Sequence, residues 1–320
     1  MSKIFNELKN IFQDRFKESE PLSKHTTWRI GGPAKWFVEA ATTEEVKKAV
    51  DVARALEAKW FVLGGGSNIL VSDSGFDGLV IKLALREIKT NNHQITAGVG
   101  VPAVLLSRQA AEVGLSGLEW MATLPGTVGG AVRGNAGCFG GETKDHLVSV
   151  EVLRDGKIIN LKKDELNFGY RDSIFKKNKD IILSAIFELV PGKAVVIKKT
   201  MEDFLAKRLA SQPPVGGTAG CVFKNYQIKD SELGRLKKEA DIPAEMLEKK
   251  KISAGWLIEQ MDLKGKRIGG VQVSLKHANF IENTNGATAD DVVQLIALIK
   301  MNARDRFGIQ LEEEIEYVGF

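Results

Sequence analysis

Residues 60–68 read WFVLGGGSN, an apolar run that leads straight into three glycines, Ser67 and Asn68. Working outward, Thr42 and Glu45 form a capping-box pattern, and Val46, Ala49, Val50, Ala53 and Leu56 continue a stripe at helical spacing. WFVEA at 36–40 reads as a strand before that helix, and ILV at 69–71 and LVIKL at 79–83 read as strands after the turn. The order is β-α-β followed by a glycine turn. Without a Cβ, Gly64, Gly65 and Gly66 let main-chain N–H groups come close to a ligand, and successive N–H groups make a nest suited to a pyrophosphate. Ser67 and Asn68 add side-chain hydrogen bonds. A plain tight turn between strands would use the same residues, so both readings stay open here. The turn is not the G-x-G-x-x-G fingerprint, and no G-x-x-x-x-G-K-[ST] loop occurs in the chain.

A second segment, LPGTVGGAVRGNAGCFGGE at 124–142, holds seven of the 32 glycines. Pro125 stiffens its start, Gly126, Gly129 and Gly130 remove side chains where a flat ligand or diphosphate would pack, and Asn135 offers an amide. A mobile loop is the alternative. Two such segments with interleaved Ser, Thr and Asn favour a pyrophosphate cradle.

The remaining punctuation suggests three lobes: 1–84 with an N-terminal helix, 85–210, and 211–320. Ile4, Phe5, Leu8, Ile11, Phe12 and Phe16 recur at helical spacing among charges. REIKT and QITAG read as paired strands around Asn91-Asn92, and a helix starts at Pro102 and continues to about Val113. LVSVEVLR and KIINL flank Asp155-Gly156, a hairpin dipeptide. IILSAIFELV adds a strand, and 193–209 reads as an amphipathic helix. SQPPVGGTAG at 211–220 reads as a linker. Beyond it come a strand at CVF, helices near 243–261, strands at VQV and NFI, a helix at 288–306, and a strand at 310–318. Strands and helices without regular alternation indicate α+β.

Composition excludes several classes. The 320 residues are 43% hydrophobic and 27% charged with a net charge of +4, so a packed core is affordable without disulfide or metal staples. No run reaches the length of a membrane span and no signal-peptide core is present, which points to a cytoplasmic protein with no membrane insertion. Cys138 and Cys221 lie far apart, and His25, His93, His146 and His277 are scattered, so neither a disulfide scaffold nor a metal site is expected. Basic residues are interleaved with acidic ones, which argues against a nucleic-acid partner.

The paired glycine segments resemble the flavin-binding domain of the vanillyl-alcohol-oxidase (PCMH-type) superfamily, and within it the UDP-N-acetylenolpyruvoylglucosamine reductase family. The resemblance runs through HTTWRIGGPA, VLGGGSNILVSDSGFDGLVI, GLEWMATLPGTVGGAVRGNAGCFGGE, FGYRDSIFK, TAGCVFKN, SAGWLIEQMDLKGKRIGGVQVSLKHANFIEN and FGIQLEEEIEYVG, in the family's order over nearly the whole chain. It implies a two-lobed PCMH-type FAD-binding domain plus a C-terminal α+β substrate-binding domain. It also implies FAD as bound cofactor, NADPH as cosubstrate, and reduction of an enolpyruvyl UDP-sugar to its lactyl ether for peptidoglycan, by a monomer. Thr127, Ala131 and Gly137 join the cofactor residues named above. The chain looks like the family's second type, because nothing between Arg171 and Cys221 is long enough for the inserted tyrosine loop of the first.

Hydride addition to an enol ether conjugated to a carboxylate builds negative charge over that carboxylate and the adjacent carbon, so a cation and a proton donor are required. By resemblance Arg171, beside Tyr170, is the carboxylate clamp, where its planar fork grips two oxygens. Cys221 matches the proton donor, a position more often serine, and a thiol with pKa near ~8.5 is the stronger acid. Glu314 matches the catalytic glutamate. Alternation on a strand would put Glu312, Glu314 and Glu316 on one face, and only the spacing to Val318-Gly319 selects Glu314. Lys224, Asn225 and Tyr170 are expected at the UDP-sugar, and His277 is either a substrate residue or a satisfied structural histidine. Tyr226 replaces the family's usual proline. The alternative is another FAD-dependent oxidoreductase of the superfamily, such as an oxidase.

Overall fold

The computed structural model describes residues 3–239 and 242–320, with side chains from 6 to 237 and from 242 onward. The chain divides into two compact units. One comprises the residues through Glu20, Ala34–Gly66 and Phe76–Ala210, and the other Pro21–Pro33, Ser67–Gly75 and Ser211–Phe320. The two stretches expected as separate flavin lobes therefore share one unit, and two short segments of the first group with the C-terminal region.

The first unit carries two sheets. One has the order Phe16–Pro21, Pro33–Ala40, Phe76–Leu83, Trp60–Leu63, with the last three parallel. The helix Thr43–Ala55 supplies the crossover, and its Thr42 side chain accepts from the Glu45 N–H as the capping pattern predicts. The second sheet is antiparallel, in the order Lys157–Lys162, Leu147–Arg154, Ile181–Glu188, Gln94–Gly98, Ile88–Asn91. Its hairpin turns on Asp155 and Gly156 with φ of 49° and 77°, the two left-handed residues that match the twist of the flanking strands. One apolar core joins both sheets, from Leu8 and Phe12 through Val38, Ile81 and Trp120 to Phe187.

Several local expectations change. The N-terminal helix is Lys3–Phe12, and Phe16 begins a strand. The side chains of Ile4 and Phe5 lie outside the described residues. The helix Ala194–Ser211 forms, yet only Ile197 on it is buried, while Val195, Val196, Leu205 and Leu209 are exposed. The glycine segment is less loop-like than its composition suggests, because Val128–Arg133 forms a short helix and Gly137–Cys138 pairs with Gly141–Glu142.

In the second unit the strands Arg267–Ile268, Val271–Val273 and Ile281–Asn283 form a small antiparallel sheet. The 19-residue helix Ala289–Phe307 has a Thr288/Asp291 capping box and ends on Gly308 in the left-handed region. A helix at Asp230–Glu239, absent from the sequence reading, precedes Ala244–Glu248 and Ala254–Gln260. CVF is not a strand, since Phe223 makes a single bridge to Glu313. The strand expected over 310–318 is confined to Glu316–Val318, which lies parallel to Ile69–Val71. Its alternation therefore does not extend to Glu312 and Glu314.

Candidate active site

In the first unit the two glycine segments meet main chain to main chain. A Cβ on Gly65 would lie 2.6 Å from the Gly126 Cα, a distance that no side chain could occupy without moving backbone. A Cβ on Gly64 would come 2.9 Å from the Thr127 Oγ1. That hydroxyl is buried and has no hydrogen-bond partner among the described residues. An orphaned hydroxyl against a bare glycine backbone is the arrangement an FAD pyrophosphate would complete, because it brings acceptors to a donor that otherwise lacks one. The residues present fit the group. Gly129 and Gly137 have another reason to be glycine, since their added Cβ atoms would strike Val99 and the Gly141 carbonyl. Ala131 is buried inside the short helix.

The structure adds a brace that the motif does not reveal. Asn135, fully buried with φ of 41°, sends both amide hydrogens to protein acceptors, the Gly169 carbonyl at 2.9 Å and Glu142 Oε2 at 3.0 Å. Its Oδ1 accepts from the Lys144 N–H at 3.1 Å. Asn135 therefore ties the glycine segment to the Gly169–Ser173 turn, in place of the free ligand donor read from sequence. Ser173 Oγ adds a bond to the Arg133 carbonyl at 2.6 Å, and Arg171 Nη2 donates to the Gly137 carbonyl at 2.7 Å. Arg171 itself has φ of 56°, strained for a residue with a Cβ, and its guanidinium stacks 5.3 Å from the Tyr170 ring centre. Backbone strain held by three surrounding bonds is characteristic of a residue whose side-chain direction matters. Cys138, on the strand Gly137–Cys138, lacks the character of a nucleophile: burial pushes its thiol pKa up, and it faces Thr123 Oγ1 and the Trp120 carbonyl.

In the second unit the segment before Cys221, expected as a loose linker, is pinned. Thr27 accepts from the Gly217 N–H at 2.7 Å through its carbonyl and donates to the Thr218 carbonyl at 2.7 Å through its hydroxyl. The Gly217 carbonyl accepts from the Asn283 N–H, the Asn283 side chain donates to the Trp28 carbonyl, and the indole N–H of the buried Trp28 donates to the Ile281 carbonyl. This is the role of the HTTW motif. Beyond Cys221, the Phe223–Glu313 bridge aligns 221–225 antiparallel to 311–315, and the Glu314 N–H donates to the Val222 carbonyl at 2.7 Å. The candidate acid Cys221 and candidate glutamate Glu314 thus sit on paired segments. Of the neighbouring acids, Glu312 is exposed and reaches Lys224 Nζ at 3.4 Å, while Glu313 is held by Lys300 Nζ at 2.9 Å. The ladder engages the main chain of Glu312 as well as that of Glu314, through the Lys224 N–H and the Val222 carbonyl.

The substrate candidates divide. Asn225 Oδ1 accepts from the Ala254 N–H and so steadies the start of a helix. His277 Nδ1 accepts from the Asn279 N–H at 3.2 Å, its ring packs edge-on against Phe280, and burial lowers its pKa. These contacts occupy Nδ1 and fix the ring in place. Tyr226 lies on a short strand beside Ile252 and donates to Glu232 Oε1 at 2.6 Å; burial, then that carboxylate, pushes its pKa up to about 12. Among the described residues no group of three His, Cys, Asp or Glu side chains could hold a metal ion, and no helix is long and apolar enough to cross a membrane.

Comparison with known proteins agrees with this geometry. Residues 34–162 match the family described as FAD binding domain, and 212–318 match the UDP-N-acetylenolpyruvoylglucosamine reductase C-terminal domain. The reductase of that name from Carboxydothermus hydrogenoformans is 40% identical over 326 residues, covering 99% of each chain. The one from Syntrophomonas wolfei is 38% identical over 309 residues, covering 96% of each. The crystal structure of UDP-N-acetylenolpyruvylglucosamine reductase from Thermus caldophilus superposes with a TM-score of 0.73 at 35% identity, over 95% of this chain and 98% of that one.

Proposed function

The chain belongs to the UDP-N-acetylenolpyruvoylglucosamine reductase family, and from that membership we propose that it reduces the enolpyruvyl ether of UDP-N-acetylenolpyruvoylglucosamine to UDP-N-acetylmuramate for peptidoglycan. The FAD that the glycine segments would hold, once reduced by NADPH, would be the source of the hydride added to the enolpyruvyl group. The observation that carries the cofactor reading is the Gly65–Gly126 approach beside the unpartnered Thr127 hydroxyl. Gly64–Asn68, Pro125–Ala131 and Gly137 would hold the cofactor, the latter through main chain.

The chain's own residues supply the rest of the chemistry. Arg171 holds the substrate carboxylate as charge grows on it, a task suited to a guanidinium already oriented by the Gly137 carbonyl and the Tyr170 ring. Cys221 delivers a proton from Sγ to the carbon next to the carboxylate, and Glu314 stabilises the charge redistribution from the adjoining segment. Lys224, with Tyr170, meets the UDP-sugar. We place the reaction in the cytoplasm, where nucleotide sugars are made, and read the enzyme as a monomer. Light scattering at the mass of 35.0 kDa tests the latter.

The decisive test follows the bound flavin through each half-reaction. Cys221→Ala is expected to leave reduction by NADPH near the wild-type rate and to slow reoxidation by the enolpyruvyl sugar about a hundredfold or more. Wild-type rates in both would remove Cys221 as the acid. A colourless protein that cannot be reconstituted with FAD would remove the whole reading.

A further inference from the structure

Cys221 stands in a segment that is neither helix nor sheet, so its direction needs another explanation. On one edge the segment has the main-chain bonds to 312–314 described above. On the other edge no strand is present, and a single side chain takes its place. Asn279, 3% exposed, accepts from the Phe223 N–H through Oδ1 at 3.0 Å and donates from Nδ2 to the Phe223 carbonyl at 2.8 Å. Its own carbonyl accepts from the Val222 N–H at 2.8 Å. A primary amide has the donor and acceptor spacing of a peptide unit, so this carboxamide mimics one residue of a neighbouring strand. Asn279 is itself fixed, because its N–H donates to His277 Nδ1 and it leads into the strand Ile281–Asn283.

We propose that Asn279 is the positioning residue for Cys221, its carboxamide locking Val222 and Phe223 so that the thiol holds its direction. The inference rests on the reading of Cys221 as proton donor. It explains why an amide is buried where an apolar side chain would pack as well: deleting it would orphan a buried N–H and a buried carbonyl within two residues of the acid. Ser and Thr lack the second hydrogen-bonding atom, and Gln places the amide one methylene too far.

Two measurements on the flavin-loaded enzyme test it. The first is a double-mutant cycle on flavin reoxidation by the enolpyruvyl sugar. Asn279→Ala is expected to slow reoxidation roughly tenfold or more while reduction by NADPH stays unchanged, and to add nothing in a Cys221→Ala background. An equal slowing in both backgrounds, or a parallel fall in both half-reactions, would overturn the proposal, because a general packing role does not pass through the thiol. If Cys221→Ala alone reoxidises at the wild-type rate, the acid assignment is what fails. The second measurement needs only folded protein: the alkylation rate of Cys221 by iodoacetamide in a Cys138→Ala background, read by mass spectrometry. Asn279→Leu keeps the volume and adds no charge but loses both donor and acceptor, and is expected to change that rate at least severalfold. An unchanged rate in Asn279→Leu would overturn the proposal even if Asn279→Ala does not fold.

Discussion

The Asn68 carboxamide donates to the main-chain carbonyl of Glu314 at 3.0 Å, and the Asn68 carbonyl accepts from the Glu316 N–H at 3.0 Å. The last residue of the glycine turn therefore starts the parallel pairing of Ile69–Val71 with Glu316–Val318 and fixes the main chain of the candidate glutamate. One amide hydrogen of the side chain read from sequence as a cofactor ligand is used in this bond. Asn68→Ala would leave a part-buried carbonyl without its donor, a cost of about 1–3 kcal/mol. The urea midpoint should fall accordingly, with reoxidation of the flavin impaired more than its reduction. An unchanged midpoint would mean that water replaces the amide.

Gly65→Ala should expel the cofactor. Its new Cβ would sit 2.6 Å from the Gly126 Cα, so the two glycine segments must separate, whereas the Cβ of Gly64→Ala meets only the Thr127 Oγ1 at 2.9 Å. Titration of apoprotein with FAD, followed by flavin fluorescence, should show Gly65→Ala weakened about tenfold or more, roughly 1.4 kcal/mol, and Gly64→Ala less so. The reverse order would place the ligand away from the Gly65–Gly126 contact.

Features decided by a few adjacent residues were legible in the sequence. Asp155-Gly156 specifies its hairpin through left-handed backbone, and Thr42 caps its helix across three positions. The glycine segments announced a cradle because only close backbone approach demands so many missing side chains. What could not be read is where an amide or a carbonyl finds a distant partner. Asn135 and Asn279 look like any asparagine in a loop, yet one braces Gly169 and the other replaces a strand beside Phe223. The stretch from Gln310 to Ile315 has a real alternation, but its pairing is limited to the single Phe223–Glu313 bridge and the bonds beside it, and the strand proper starts only at Glu316. The helix Ala194–Ser211 shows the converse, since its apolar residues are spread around the helix and do not gather on one face, and only Ile197 is buried.

Arg171→Lys tests the clamp. The guanidinium has donors enough to hold the Gly137 carbonyl and still present a fork, while an ammonium is a point charge that must choose. Loss of one charge-stabilising donor of this kind costs about 10²–10³ in rate. Reoxidation by the enolpyruvyl sugar should fall by that factor, with reduction by NADPH intact. A purely proportional loss in both half-reactions would point instead to collapse of the Gly169–Ser173 turn.

His277 gives the fold a pH signature near neutrality. Burial lowers its pKa from the ordinary value near 6.5, with Glu259 opposing, and protonation would also forfeit the Asn279 N–H bond. The folded state therefore binds this proton less readily than the unfolded state. Its contribution to stability is complete above the ordinary histidine value, and is lost progressively as pH falls from there toward the lowered folded value. Glu45, held down by Arg15, and Asp172, held down by Lys177, behave with the same sign but only below the ordinary carboxylate range, so the windows are separate. The urea midpoint of the wild type should decline as pH falls below about 6.5, and His277→Gln, which keeps an acceptor without a titrating ring, should flatten that decline. Parallel slopes in the two proteins would show that another group drives it.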